Sequence, residues 1–220
     1  MGLLGLLFPD RCAVCSLPGA ALCGSCRSEL VRLTPPLCER CGAPGPWPVA
    51  RCSECSGRRL AFARARAAIV YDERARSLVR AWKEHGREPL AAEAADLVTE
   101  LVPTPDVELL VPVPADPERA LERGRVAQRG LAVALAASWG IAAAELLRRT
   151  QALPRQRGLG LAERRRNVRG SVGVSGAVPG SVCVVDDVYT SGATADACAA
   201  VLRRAGARRV EVVTFARAVR

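Results

Sequence analysis

Residues 182–194, VCVVDDVYTSGAT, decide the fold of this 220-residue chain. The apolar run VCVV is followed by Asp186 and Asp187, and then by a loop of small and hydroxylated residues that leads into a helical pattern. This order is typical of a buried strand in a parallel α/β sheet, where ligands bind at the carboxyl ends of the strands. We therefore expect a binding site directly after Val185.

The loop after the aspartates has the composition of a phosphate cradle. Its members are Thr190, Ser191, Gly192, Ala193 and Thr194. Small residues let consecutive backbone N–H groups converge on an anion, hydroxyls add donors, and the N-terminus of the next helix adds partial positive charge. Two carboxylates beside such a cradle suit the vicinal hydroxyls of a sugar, so the stretch predicts a ribose 5-phosphate site. The alternative is a helix N-cap beside a surface acid pair.

Strand and helix patterns alternate on both sides of this stretch. The pattern predicts strands over residues 66–71, 108–114, 182–188 and 209–217, and helices over residues 73–83, 89–102, 125–140 and 193–206. Apolar strands alternating with helices predict an α/β fold with a mainly parallel sheet flanked by helices. We expect this domain to span residues 61–220.

The N-terminal segment is rich in cysteine. Eight of the ten cysteines form four C-x-x-C pairs: Cys12/Cys15, Cys23/Cys26, Cys38/Cys41 and Cys52/Cys55. A tight C-x-x-C turn aims two sulfurs at one metal ion, and two turns complete a closed tetrahedral zinc site. Consecutive pairing suits two sites, and interleaved pairing stays open. The pattern predicts a structural zinc module over residues 1–60 that folds with its metal. A disulfide framework is the alternative, which suits exported proteins.

The charge of the chain is strongly positive, at +10, and Lys83 is its only lysine. Residues 148–169 hold eight arginines and a single acid, Glu163, which indicates either a solvated face or an anion site. No apolar run approaches the roughly 20 residues that span a bilayer. The opening MGLLGLLFPD lacks the basic lead and cleavage site of a signal peptide. We expect a cytoplasmic protein without membrane insertion.

The motif VVDDVYTSGAT resembles the phosphoribosyl pyrophosphate (PRPP) motif of type I phosphoribosyltransferases. The whole chain resembles the ComF/ComFC group, phosphoribosyltransferase-like proteins associated with bacterial DNA uptake in competence. The shared features are the four C-x-x-C pairs, VPVP with a following arginine-rich turn, the pattern Q-x-x-L-x-x-x-x-R-x-x-N at Gln156, Leu159, Arg164 and Asn167, and a closing FAR.

The resemblance implies a role for each matching residue. Asp186 and Asp187 would contact the ribose hydroxyls at the catalytic centre, and residues 190–194 would hold the 5-phosphate. Pyrophosphate would lie at the turn that follows Pro114, and a mobile loop would close over the site. The residues implied for pyrophosphate and the loop are Arg119, Arg123, Gly124, Gln128, Gln156, Arg164 and Asn167. Magnesium would accompany PRPP.

Two functional hypotheses follow from the resemblance. The first is a phosphoribosyltransferase, a pentosyl-transferring glycosyltransferase that moves the phosphoribosyl group of PRPP to a nitrogen acceptor. The second is a non-catalytic, zinc-containing protein that binds single-stranded DNA during transformation. Competence helicase-type proteins are the further partners that the resemblance implies. Redox chemistry at the C-x-x-C pairs is a third, more remote reading.

Overall fold

The computed structural model describes residues 10–115, 127–150 and 172–219, without the side chains at 84, 85, 127 and 128. The strands are β1 (Arg64–Val70), β2 (Leu109–Pro112), β3 (Leu147–Arg149), β4 (Val172–Val174), β5 (Ser181–Tyr189) and β6 (Arg209–Arg217). The helices are α1 (Gly24–Ser28), α2 (Glu73–His85), α3 (Pro89–Leu101), α4 (Ala127–Trp139) and α5 (Ala193–Arg204). No helix within these ranges combines the length and apolarity needed to cross a membrane.

The central sheet is parallel, with strand order β1-β6-β5-β2. Its strands are runs of Val, Ala, Leu and Ile that are buried almost throughout, as expected for a sheet covered on both faces. The predicted α/β class is confirmed. Strand β5 pairs with β2 only as far as Val185, whereas its pairing with β6 continues to Tyr189. Asp186 and Asp187 therefore lie past the end of β2.

Alternation along β5 divides its side chains between two hydrophobic cores. Cys183 and Val185 belong to the core shared with α2, α3 and α4. Val182, Val184 and Tyr189 belong to the core shared with α5. The alternation continues to Asp186 on the α5 face and to Asp187 on the α2 face, where Asp187 pairs with Lys83, and it is interrupted before Tyr189.

Local signals explain where α2 begins and ends. Asp72 is its N-cap, and its Oδ1 accepts a hydrogen bond from the Ala75 N–H at 2.9 Å. Gly86 follows the last turn in the left-handed conformation, with φ 60°. An Asp at the N-cap and a Gly after the last turn are the expected boundary residues of a helix.

A short antiparallel pair was not predicted. Strands β3 and β4 have three residues each and pair with each other, with Leu147 opposite Val174. Three residues are too few for a period-2 pattern to stand out from the sequence around them. Pairing of β3 with β4 places Arg149, which precedes residues 151–171, opposite Val172, which follows them.

The cysteine-rich segment covers the β1 edge of the sheet. The Val70 N–H donates to the Val31 carbonyl, and the Leu33 N–H donates to the Ala68 carbonyl, both at 2.8 Å. Residues 31–33 thus pair with β1 and bind its outer backbone groups. On either side of this crossing, the chain packs against a different face of the sheet.

The opposite edge of the sheet is also covered. The Leu110 N–H in β2 donates to the Ala142 carbonyl at 2.8 Å, and the Ala144 N–H donates to the Leu110 carbonyl at 3.0 Å. The segment after α4 therefore continues the ladder by a short parallel bridge.

Candidate functional site

The eight N-terminal cysteines form two clusters of four. Cys12, Cys15, Cys23 and Cys26 form the first zinc site, and Cys38, Cys41, Cys52 and Cys55 form the second zinc site. In each cluster the Sγ atoms all lie within 4.8 Å of one another. Pairing is therefore consecutive along the chain, and the interleaved alternative is wrong.

The sulfur–sulfur distances fit a tetrahedral metal site. Sγ–Zn bonds of about 2.3 Å place the corners of a tetrahedron about 3.8 Å apart. The distance is 3.7 Å between Cys15 and Cys23 in the first zinc site. In the second zinc site it is 3.7 Å between Cys38 and Cys55, and 3.5 Å between Cys41 and Cys52. A disulfide would need about 2.05 Å, so these thiols are spaced for zinc.

Backbone N–H groups favour the thiolate form of one cysteine in each cluster, whereas burial raises the pKa of Cys26 and of Cys41. The Cys23 N–H donates to Cys12 Sγ at 3.5 Å, and the Cys52 N–H donates to Cys38 Sγ at 3.3 Å. Burial opposes ionisation, but hydrogen bonds from backbone N–H groups lower the pKa of Cys12 and of Cys38 to about 6. Four cysteines per site leave no coordination position for water, so the role of the metal is structural.

The two aspartates at the end of β5 are buried and electrostatically distinct. Burial raises the pKa of Asp186 well above its usual value, and the adjacent charge of Asp187 raises it further. Burial is also the largest single effect on Asp187, but the ammonium of Lys83 and hydrogen bonds from Lys83, the Asp186 carboxyl and the Val188 N–H together outweigh it and lower the pKa of Asp187. At neutral pH, Asp187 is therefore the charged acceptor of the pair. The Asp187 N–H donates to Asp186 Oδ1 at 2.9 Å.

Lys83 is a residue of the candidate site whose contact with Asp187 the sequence did not reveal. It lies near the end of α2, and its Nζ forms an ion pair with Asp187 Oδ2. Burial opposes its charge, yet Asp187 and Asp186 together raise the pKa of Lys83. The available signal was its rarity, because it is the single lysine among 32 basic residues.

The loop of residues 190–194 leads from β5 into α5, which begins at Ala193 with Gly192 as its N-cap. Gly192 has φ 70°, and a Cβ at this position would lie 2.2 Å from the Tyr189 hydroxyl oxygen. The Ser191 hydroxyl accepts a hydrogen bond from the Ala193 N–H at 3.3 Å. The N-cap itself, Gly192, has no side chain with which to cap the helix. Asp196, the acid of the first turn, accepts from the Ala61 N–H at 2.7 Å. An anion at the N-terminus of α5 would replace the contact of the Ala193 N–H with Ser191, beside the hydroxyls of Thr190 and Thr194.

The other predicted site residues lie outside the described residues. They are Arg119, Arg123, Gly124, Gln156, Arg164 and Asn167. Gln128 lies in the first turn of α4, and its side chain is outside the description as well. Their roles at pyrophosphate and in a closing loop stay predictions.

Comparisons with known proteins agree with both parts of the chain. The model of the double zinc ribbon domain matches residues 3–56. The DNA utilization protein YhgH of Salmonella typhi is 29% identical over 225 residues, which cover 94% of this chain and 96% of that protein. The protein of the same name from Salmonella typhimurium has the same identity and coverage.

Solved structures of phosphoribosyl enzymes also align with the chain. Glutamine PRPP amidotransferase from B. subtilis, complexed with ADP and GMP, aligns at 23% identity and a TM-score of 0.39 over 58% of this chain. The alignment covers 25% of the amidotransferase, so this chain spans about a quarter of its length. Orotate phosphoribosyltransferase from Aeropyrum pernix aligns at 22% identity and a TM-score of 0.39, over 72% of this chain and 69% of that one. Likeness at this level carries no argument about the site.

The sheet, the sequence motifs and the full-length relatives describe the chain without these structures. The parallel order β1-β6-β5-β2 ends in VVDDVYTSGAT at the carboxyl end of β5. The zinc ribbon lies ahead of this sheet, and the similarity to YhgH runs nearly from end to end. The chain is therefore similar over nearly its whole length to the YhgH proteins, and it combines a parallel α/β sheet with an N-terminal segment that matches the double zinc ribbon domain.

Proposed function

We propose that this protein binds magnesium–PRPP at the carboxyl end of β5 and transfers its phosphoribosyl group to a nitrogen nucleophile. The observation that carries the proposal is the pair Asp186 and Asp187, buried side by side and separated from the N-terminus of α5 only by residues 188–192. Buried carboxylates need a partner to offset their desolvation. Ribose hydroxyls supply hydrogen bonds to them, and a 5-phosphate suits the N-terminus of α5, where it would take the place of the Ser191 hydroxyl at the Ala193 N–H.

The chemistry divides among the residues of this chain as follows. The nitrogen forms a bond to the anomeric carbon while the bond from that carbon to pyrophosphate breaks, and pyrophosphate leaves with the electron pair. Asp187, kept ionised by Lys83, accepts a hydrogen bond from a ribose hydroxyl. The loop of residues 190–194 anchors the other end of the sugar, so the anomeric carbon is fixed in place. Magnesium, when bound with the substrate, neutralises charge on pyrophosphate.

Calorimetric titration with PRPP, with and without magnesium, tests this function. We expect magnesium-dependent binding that is lost in the double variant Asp186→Asn/Asp187→Asn. Asp106→Asn is the matched control, because Asp106 is 97% exposed and lies before β2, away from the cradle. Absence of binding by folded, zinc-loaded wild-type protein would overturn the proposal. Equal loss in the control would show that the effect is not specific to the site.

A second candidate function is the binding of nucleic acid without turnover. A groove of about 300 Å³ lies at the other end of the sheet, where β6 begins. Its lining includes residues 60–63, Val210 and four arginines, Arg40, Arg203, Arg208 and Arg209, and none of its lining residues is acidic. Guanidinium groups around an open groove suit phosphodiesters. The name of the YhgH relatives, DNA utilization proteins, points in the same direction.

Fluorescence anisotropy with a labelled single-stranded oligonucleotide tests the second candidate. Binding through phosphates weakens steeply as salt rises. We expect Arg208→Gln to weaken binding and to reduce the salt dependence, because Arg208 lines the groove. Arg204→Gln is the matched control, since Arg204 is a neighbouring exposed arginine outside the lining. Salt-independent binding, or equal effects of the two variants, would contradict this function.

A further inference from the structure

A buried arginine joins the second zinc site to the central sheet. Arg217, the last residue of β6, is 1% exposed. Its Nη1 donates to the Cys41 carbonyl at 2.6 Å, and its Nη2 donates to Glu54 Oε2 at 2.8 Å. Cys41 ends one C-x-x-C turn of the second zinc site, and Glu54 lies inside the other. A single guanidinium therefore contacts both turns that the metal would hold together.

The same guanidinium reaches the residue beneath the phosphate loop. The Cζ atom of Arg217 lies 4.6 Å from the centroid of the Tyr189 ring, which also packs edge-on against Phe62. The Tyr189 hydroxyl is buried and occupies the space where a side chain of Gly192 would project. The Tyr189 side chain thus packs against Gly192 of the loop and against the guanidinium of Arg217.

A second connection leaves the same zinc site by another route. Arg58 follows Cys55 by three residues, and its Nη1 donates to the Ser191 carbonyl at 2.8 Å. The Arg58 N–H donates to the Cys55 carbonyl at 3.1 Å, so the arginine is held against the second C-x-x-C turn. The loop is therefore held from below through Tyr189 and from the side through Arg58.

The first zinc site offers an internal control. It packs on the opposite face of the sheet, where Arg27 forms ion pairs with Glu93 and Glu100 of α3 at 3.5 and 3.0 Å. Among the hydrogen bonds and ion pairs of the described residues, none joins residues 10–30 to the loop of residues 190–194.

We infer that the second zinc site positions the phosphate-binding loop through Arg217 and Arg58, and that the first zinc site does not. Without metal, the two turns that anchor these arginines are free to separate, and the loop loses both supports. The inference rests on the proposed function where it predicts PRPP affinity. Its structural half, the order of the loop, is measurable without any ligand.

Two single-ligand variants separate the zinc sites. Cys52→Ser removes one ligand of the second zinc site, and Cys15→Ser removes one ligand of the first. We expect each variant to lose about one zinc ion per chain. In Cys52→Ser we expect faster amide hydrogen exchange over residues 190–194 and about tenfold weaker PRPP binding in calorimetry. In Cys15→Ser we expect loop exchange and affinity close to those of the wild type. Equal effects of the two variants on the loop would overturn the inference.

Arg58 tests the inference with both zinc sites intact, which matters if Cys52→Ser fails to fold. Arg58→Ala should keep two zinc ions and speed exchange in the loop, and Arg58→Lys should restore much of the protection. Unchanged amide hydrogen exchange over residues 190–194 in Arg58→Ala would show that Arg58 does not position the loop. If wild-type protein binds no PRPP, the proposed function fails, while the exchange data still decide whether the second zinc site orders the loop.

Discussion

At the scale of single residues, Lys83 supplies the positive charge that favours the ionised form of Asp187 at the end of β5. It places one cation beside two adjacent carboxylates that would otherwise repel each other in a buried setting. The pair with Asp187 spans helix α2 and strand β5, so no local pattern in the sequence indicates it. Removing one partner of such a pair leaves the other charge buried without compensation.

Lys83→Met should destabilise the fold in a pH-dependent way. Lys83 is 36% exposed, so solvent screening reduces the loss to about 1–2 kcal/mol at pH 7. The pKa of Asp187 is depressed in the folded state, so the stability it contributes is present above its unfolded value of about 3.9 and is lost as pH falls through the folded pKa. Urea unfolding at pH 7 and at low pH should show the variant approaching wild type in acid. A constant difference would contradict the ion pair.

Gly192 offers a second test at this scale. Gly192→Ala adds strain at φ 70° and also an overlap with the Tyr189 hydroxyl, 2.2 Å from the new Cβ. Gly86→Ala is the matched control, because Gly86 has φ 60° and open space around it. We expect about 1 kcal/mol of destabilisation in the control and a clearly larger loss in Gly192→Ala. Thermal unfolding of the two variants measures the difference. Equal losses of stability would mean that the Tyr189 side chain moves away from the new Cβ at no measurable cost.

At the scale of elements, local sequence patterns predict the strands of the sheet and the helices. They do not predict which of these elements contact one another. Strand β6 has the predicted bounds because RVEVVTFAR is a long apolar run between charged ends. The short β3–β4 pair was not predicted. The link from Arg217 to Cys41 spans 176 positions, and the link from Arg58 to Ser191 spans 133. Sequence spacing predicted the zinc ligands and the cradle, whereas the contacts between them depend on tertiary packing.

Helix α2 depends on its N-cap, and through Lys83 the strand end depends on α2. Asp72→Ala removes the acceptor for the Ala75 N–H and should cost about 1 kcal/mol of unfolding free energy. Asp72→Ser keeps a capping oxygen and should retain most of that stability. Urea denaturation of both variants checks the prediction. A loss in Asp72→Ser equal to that in Asp72→Ala would show that the cap hydrogen bond is not the cause.

At the scale of the whole molecule, the zinc module and the sheet share their hydrophobic cores. Cys12 and Cys26 pack with α2, α3 and α4, while Cys38 and Cys55 pack with α5. The sequence predicted a boundary near residue 60, and that boundary stays a prediction. Shared cores indicate that the two parts stabilise each other.

Zinc removal should therefore destabilise the entire chain. Elemental analysis should find about two zinc ions per molecule, one for each four-cysteine site. After treatment with a chelator, we expect calorimetry to show the unfolding of the sheet at a markedly lower temperature, in step with loss of the ribbon. An unshifted transition of the sheet in metal-free protein would instead show that the ribbon is an independent unit.

The covered edges of the sheet restrict how copies of this protein meet. Residues 31–33 bind the outer backbone groups of β1, and residues 142–144 do the same along β2. A free sheet edge is the usual template on which another chain adds a strand, and it is a common start of aggregation. Along these two edges an incoming strand meets backbone groups that are already paired. At Ala68, Val70 and Leu110 a strand from another copy would have to displace these hydrogen bonds before it could pair with the sheet.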